Sequence, residues 1–232
     1  MSRNPFAPAA SVSAALASRR SVRAFLDRKP DPQLLRSLLE LAARSPSGGN
    51  LQPWRIVVLG GEVLDQFRAT MMQRLATSPA PDAPQYPVYP ASLDEPYRSS
   101  RFRVGEMLYT LLGIPRDSKA QRLQWFANNY RFFGAPVGLF CYVDRGMGSA
   151  QWSDLGMYLQ SLMLLLREHG LDSCPQECWS VYHTVVDGFV DAPANHLLFC
   201  GMAIGYADPH AAANQLQSER MALAEFAQFR GI

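Results

Sequence analysis

The stretch ARSPSGGNLQPWRIVVL, Ala43 to Leu59, joins a helix-patterned segment to a strand-patterned one. Upstream, DPQLLRSLLELAARS opens with Asp31 as a cap and Pro32 at the first helical position, and Leu34, Leu35, Leu38 and Leu41 share one face. Downstream, WRIVVLG alternates and is β-branched, which is the pattern of a strand. The joint carries Pro46, Ser47, Gly48, Gly49, Asn50, Gln52 and Pro53-Trp54, more small hydrogen-bonding groups than a turn requires. Glycines let backbone approach a flat ligand, while Asn and Gln offer donor–acceptor pairs to an amide-like ring edge. An elaborate helix-to-strand turn uses the same residues, so the loop alone leaves both readings open.

Outward from this joint, helices and strands interleave. SVSAALASRRS reads as a short helix ending in a basic cluster, and GEVLDQFRATMMQRL as an amphipathic helix. Six prolines between Pro79 and Pro96 exclude a helix or an inner strand there. The segment at about 76–98 therefore reads as an excursion over the surface, although its P-x-x-P spacings also fit a peptide-recognition site. YRSSRFRVGEMLYTLLGI and DSKAQRLQWFANNYRFF are helix-like, and APVGLFCYVD and NHLLFCGMAIGYAD are strand-like. SAQWSDLGMYLQSLMLLLREHG gives the strongest helix, with Leu155, Leu159, Leu162, Met163 and Leu166 in one stripe and Met157, Leu164 and Leu165 off it. A helix apolar on most sides is buried on most sides. The expected class is α+β, a sheet wrapped by helices. One domain is expected over 1–232, ending in a polar C-terminal arm at about 211–232.

Bulk composition narrows the function. The 232 residues are 48% hydrophobic, with 12 Phe, 9 Tyr and 4 Trp, enough for one sizeable core. Twenty-two basic against 20 acidic residues leave +2, so charge makes no case for nucleic acid or a membrane surface as partner. The longest apolar runs fall short of the roughly 20 residues that span a bilayer. Cys141, Cys174, Cys178 and Cys200 form no C-x-x-C, and reduced thiols in a cytoplasmic protein are expected. There is no P-loop and no G-x-S-x-G, and GMGSAQ lacks the third glycine of a dinucleotide fingerprint. His169, His183, His196 and His210 lack ligand spacing, so no metal is expected.

Two further polar clusters accompany the loop. SRRSVRAF places Arg19, Arg20, Ser21 and Arg23 at a helix end, where guanidinium forks and a hydroxyl suit a phosphate or simply form a solvated basic edge. GLDSCPQECW reads as a connection in which Pro175, Gln176 and Glu177 make a rigid, exposed step.

In this order, RRSVRAF, ARSPSGGNLQPW, GLDSCPQ, and GYADP followed by N-x-x-x-S-x-R resemble the nitroreductase family of FMN-dependent oxidoreductases, from about Ser18 to Arg220. The Pro-rich excursion and EPYRSSRFRVGEMLY look most like the branch that includes nitrobenzoate reductases. The resemblance implies a mainly antiparallel sheet and an interlocked homodimer with FMN at each interface. Arg19 and Ser21 would hold the phosphate with help from Arg20, and Arg220 would close on it. Arg23 would sit near the pyrimidine edge, where a cation stabilises the reduced ring. Pro46, Ser47, Gly48 and Asn50 would come from the second chain. Pro175, Gln176 and Glu177 would run beside the ring, with the Glu177 N–H directed at N5, and Asn128 would reach the ring edge.

The activity so implied is ping-pong reduction of nitroaromatics, quinones or similar electron-poor small molecules by NADH or NADPH. No side chain is expected to act as a nucleophile, and no catalytic residue is assigned. The alternatives are a protein that stores, senses or consumes FMN without nicotinamide turnover, and a reductive dehalogenase of the same fold. Two positions depart from the family pattern: Gln217 stands where a second Arg is common, and Cys178 where a Gly often follows Glu. A thiol at Cys178 either narrows the site or packs. Tyr130, Phe132 and Phe133 either shape the acceptor site or pack in the core, and core packing is the expected role of each.

Overall fold

The computed structural model describes residues 5–232. Its sheet has four strands in the order β1–β2–β4–β3: β1 Arg55–Gly60, β2 Val137–Asp144, β3 Asp172–Gln176 and β4 His196–Gly205. Every neighbouring pair is antiparallel, as the family resemblance implied. The two central strands are buried almost throughout because helices cover both faces.

Strand alternation sorts the side chains into two layers. Leu139, Cys141 and Val143 of β2 join Cys200, Met202 and Ile204 of β4 on one face, against α2 (Pro32–Ala42) and α6 (Ser149–Glu168). Phe140, Tyr142, Leu198 and Ala203 point the other way, toward α3 (Gly61–Thr77) and α7 (His183–Val190). A β-bulge pairs Cys141 with Cys200 but Tyr142 with Leu198, leaving Phe199 as the extra residue. Each fully buried large apolar side chain in these layers contributes about 1.5–3 kcal/mol of burial energy.

Local sequence accounts for much of the first layer. The Asp31 carboxylate accepts the Gln33 N–H at 2.9 Å, capping α2 as its position predicts. Leu35, Leu38 and Ala42 meet the buried stripe of α6, and Trp54 stacks on Tyr158 with ring centroids 5.0 Å apart. On the outer side of α6, Leu164 and Leu165 are half-buried and Met157 is 38% exposed.

Three elements differ from the sequence expectation. SCPQ is not a plain connection: residues 172–176 pair with β4 as the edge strand, and Gln176 is buried rather than exposed. HTVVDGFV forms α7, which the sequence pattern missed; Val186 packs in the second layer, and Asp191 ends the helix at φ 52°. The helix over DSKAQRLQWF stops at Phe126 as α5 (Lys119–Phe126), and residues 127–134 continue in tight 3-10 turns.

The Pro-rich segment contains no helix or strand between Pro79 and Pro96. It is pinned nonetheless. The Tyr86 hydroxyl donates to the Phe199 carbonyl, its ring meets Trp152 edge-on at 4.8 Å, and Asp82 accepts from both the N–H and the hydroxyl of Thr184. It leads into α4 (Tyr97–Leu111). Among the described residues no helix is long and apolar enough to cross a membrane.

Candidate functional site

The first and third polar clusters meet at the β3 edge of the sheet. After α1 (Val12–Ser18) the chain turns extended, and Ser21 forms a parallel bridge with Ser173. The Val22 N–H donates to the Ser173 carbonyl at 3.0 Å, and the Leu26 N–H donates to Tyr206 at 2.9 Å. Residues 21–22 thus pair with β3 while 25–26 pair with the chain just after β4, and Arg19, Ser21 and Arg23 all lie near enough to act on the Cys174 thiol.

Asn214 fixes that edge. Its fully buried amide accepts the Arg23 N–H at 2.7 Å and donates to the Ala24 and Asp208 carbonyls, both at 2.8 Å. Its own main-chain carbonyl accepts from Arg20 Nη1 at 3.1 Å. In the sequence Asn214 is only the first letter of N-x-x-x-S-x-R, and nothing there marks it as buried.

The electrostatics register the convergence. Burial lowers the Arg19 pKa below its usual value, and nearby Arg220 lowers it further. Arg20 is also lowered by burial, opposed by Asp172. The buried Cys174 thiol is pushed up by desolvation, while Arg23, the Ser21 hydroxyl and Arg19 act against that rise.

A cavity of about 650 Å³ opens beside Arg23 and is lined also by Asn128, Arg131, Arg68, Met72 and Phe133. Asp65 is its single carboxylate against three guanidiniums. Gln176 Nε2 donates to the Asn129 carbonyl at 2.8 Å, and Trp179 Nε1 donates to Gln176 Oε1 at 3.3 Å. The Gln176 side chain therefore locks the NNY loop to β3, and it does not line the cavity. Phe132 and Phe133 are buried, as expected, but in left-handed backbone at φ 52° and 53°, which costs about 1–3 kcal/mol each. Arg68 and Arg131 were missed in the sequence. The N-x-x-R spacing in NNYR is a signal for Arg131; nothing local marks Arg68.

The loop that opens the sequence lies elsewhere in the chain. Ser45 Oγ donates to Ser161 Oγ at 2.7 Å, and the Gly48 N–H donates to the Asp154 carboxylate at 3.3 Å, so the loop sits on α6. Ser47 Oγ accepts the Gln52 N–H at 3.0 Å. Pro46, Gly48 and Asn50 are exposed. Among the described residues no hydrogen bond or ion pair joins residues 46–50 to Arg19–Arg23. Pro175, Glu177 and Arg220 are exposed at the β3 edge and the start of the C-terminal arm, and Gln217 is exposed as well. Cys178 is half-buried and packs against the second core layer, with its thiol pushed up by burial. Among the described residues no three His, Cys, Asp or Glu side chains group to hold a metal.

Residues 16–206 match the nitroreductase family. Nitrobenzene nitroreductase of Ectopseudomonas oleovorans is 34% identical over 211 residues, spanning 91% of this chain and 93% of that protein. A 4-nitrobenzoate reductase of Pseudomonas putida is 35% identical over 218 residues, or 94% of this chain and 95% of the relative. Among solved structures, the FMN and NADPH-dependent nitroreductase NfnB of sphigopyxis sp. strain HMH superposes with TM-score 0.92 at 49% identity, covering 96% of this chain and all of that one. The FMN-dependent NfnB of Mycobacterium smegmatis in complex with NADPH superposes at 0.89 with 30% identity, covering 94% and 97%. With a match across most of its length and relatives this similar end to end, the chain belongs to the nitroreductase family.

Proposed function

We propose that this chain is an FMN-dependent oxidoreductase that uses NAD(P)H to reduce nitroaromatics, quinones or similar electron-poor small molecules. The observation that carries the reading is the meeting of Arg19, Ser21, Arg23 and Arg220 with the β3 edge, next to a cavity that holds Asn128. The donor set fits FMN from both ends. Arg220 is near enough to Arg19 to lower its pKa, and two such guanidiniums suit a phosphate dianion, with Ser21 and Arg20 on the same segment. Arg23, Arg131 and Asn128 give the cavity cations and an amide for a polar ring edge.

The chemistry that bound FMN supplies is two-electron transfer from NAD(P)H to an acceptor, each visiting the same face in turn. The protein's share is holding and tuning. Arg19, Arg20, Ser21 and Arg220 would bind the phosphate, Arg23 would favour the reduced, more negative ring, and the Pro175–Glu177 main chain would flank it. The relatives named for nitrobenzene and 4-nitrobenzoate, and the NfnB proteins named for FMN and NADPH, support this substrate class and reductant.

A second copy of the chain completes the site in this reading. Pro46, Ser47, Gly48 and Asn50 are held on α6 rather than near Arg23, and they are flanked by exposed Leu41, Leu51 and Met157. A homodimer that buries those apolar groups would bring each loop to its partner's flavin. The four cysteines are unpaired, which suits a reducing cytoplasm.

The test is anaerobic titration of the purified protein with NADH and NADPH, alongside its mass in solution. The expected result is a yellow dimer whose flavin absorbance is lost on titration and returns on adding a nitroaromatic or quinone. A colourless protein that takes up no FMN, or a yellow one that neither nucleotide bleaches, overturns the assignment.

A further inference from the structure

One wall of the cavity belongs to none of the sequence clusters. Arg68 projects from α3, and its guanidinium is committed mainly to main chain: Nε donates to the Arg131 carbonyl at 3.2 Å, and Nη2 donates to the Ala135 carbonyl. Nη1 pairs with Asp65 at 3.1 Å, one turn earlier on the same helix. Between the two carbonyls lies an unusual run of backbone. Phe132, Phe133 and Gly134 are all left-handed, at φ 52°, 53° and 80°. Glycine adopts this region freely, but two phenylalanines in succession need outside support.

That support has two parts. The Phe132 ring is fully buried and lies against Gly138, where a Cβ would come within 2.7 Å of the ring, so packing holds the side chains. Arg68 spans the backbone at both ends of the run. A planar guanidinium with N–H groups diverging at fixed angles can bridge two carbonyls at once, whereas an ammonium on a flexible stem cannot hold that span.

Asn128 and Arg131 sit just before the run and line the same cavity as Arg23. The Arg131 side chain is exposed, and its Nε donates to Met72 Sδ at 3.0 Å. Coulomb attraction falls with the inverse of distance, so a cation that drifts from about 4 to about 8 Å loses half its effect. We propose that Arg68 is a positioning residue: by bridging 131 and 135 it sets Arg131 and Asn128 at the flavin edge, and so raises the preference of the site for reduced flavin. This rests on the FMN reading above.

The test compares Arg68→Lys and Arg68→Met with the wild type. In the apoprotein, hydrogen exchange at the Ala135 amide, which donates to the Phe132 carbonyl at 2.9 Å, should quicken at least tenfold in both variants. In the holoprotein, the preference for reduced over oxidised flavin should fall about tenfold, a potential change of about 30 mV for a two-electron couple. Unchanged exchange and potential in Arg68→Lys overturn the proposal. If Arg68→Met fails to fold, Arg68→Lys alone decides. A potential altered in Arg68→Met yet normal in Arg68→Lys also overturns it, because charge rather than bridging would then be the cause. A wild-type protein that binds no FMN overturns the flavin reading first, before any variant is compared.

Discussion

The side-chain carbonyl of Asn214 accepts the main-chain N–H of Arg23 at 2.7 Å across 191 residues of sequence. The same amide donates to Ala24 and Asp208, so one buried side chain ties the arginine segment to the start of the C-terminal arm. Asn214→Ala would leave an N–H and two carbonyls without partners, each worth about 1–3 kcal/mol when buried. Allowing for water entry, a loss of about 3 kcal/mol is expected, with weaker FMN binding. Asn214→Asp should be as damaging, because a carboxylate keeps the acceptor but has no N–H for the two carbonyls. Urea denaturation measures both, and an Asn214→Asp variant as stable as wild type would remove this role.

Arg19 and Arg23 sit on one segment yet should fail differently. In the proposed site Arg19→Ala would remove a charged donor from the phosphate end, and losing about 1.5–3 kcal/mol there corresponds to roughly 10- to 100-fold weaker FMN binding. Arg23→Ala would remove the cation proposed for the ring end and should slow flavin reduction more than it weakens the proposed dimer. Fluorescence titration of FMN and anaerobic stopped-flow reduction separate the two. Equal FMN affinity in Arg19→Ala counts against a phosphate contact; unchanged reduction rate in Arg23→Ala counts against its place at the ring.

What could be read from sequence here was whatever depends on neighbours. Asp31 capped α2, the leucine stripe of α6 was buried, and six prolines left 79–96 without regular structure, because caps, stripes and missing N–H groups act over a few residues. The edge strand at SCPQ escaped because its reason for being extended is β4, about 25–30 residues further on, and not its own composition. Asn214, Arg68 and the burial of Gln176 were hidden for a related reason. Each is defined by the distant carbonyl or N–H it satisfies, and a lone polar letter in a sequence does not disclose that it is buried.

Gly201 is required by Trp179. A Cβ on residue 201 would stand 2.3 Å from Trp179 Cδ1 and 2.7 Å from Nε1, and the indole is fully buried among Phe67, Tyr130, Phe132 and Phe140. With no room to retreat, the ring would have to break its bond to Gln176. Gly201→Ala should cost about 3 kcal/mol, at the upper end for overpacking, and should loosen the Asn129 contact as well. Thermal melting gives the first effect and hydrogen exchange at Asn129 the second; a melting point within a degree of wild type would contradict the crowding.

Tyr86 caps the carbonyl of Phe199, the residue that the bulge leaves outside the ladder. Tyr86→Phe keeps the ring against Trp152 but leaves that carbonyl to water, at a cost of about 1–2 kcal/mol. The expected sign is local: faster proteolytic cleavage within 79–96 with little change in the rest of the map. Cleavage at the wild-type rate would mean that Asp82 and its bonds to Thr184 hold the segment unaided.

Beneath the arginine segment, Arg167 Nη1 meets Asp172 Oδ1 at 3.0 Å with both side chains 1% exposed. Burial pushes the Asp172 carboxyl up from 3.8 to about 6, although Arg167, the Ala207 main-chain N–H and Arg20 pull it down. Between those two values the folded chain keeps a proton that the unfolded chain has released, so this group lowers stability as pH rises from about 4 to 6. Above 6 the loss levels off near 3 kcal/mol, because each tenfold change in proton affinity is worth about 1.4 kcal/mol. Asp172→Asn has no such titration. In urea denaturation of apoprotein, wild type should therefore lose about 3 kcal/mol relative to Asp172→Asn between pH 4 and pH 7. A wild-type advantage that instead grows with pH would mean that the ion pair with Arg167 outweighs desolvation and keeps the carboxylate charged.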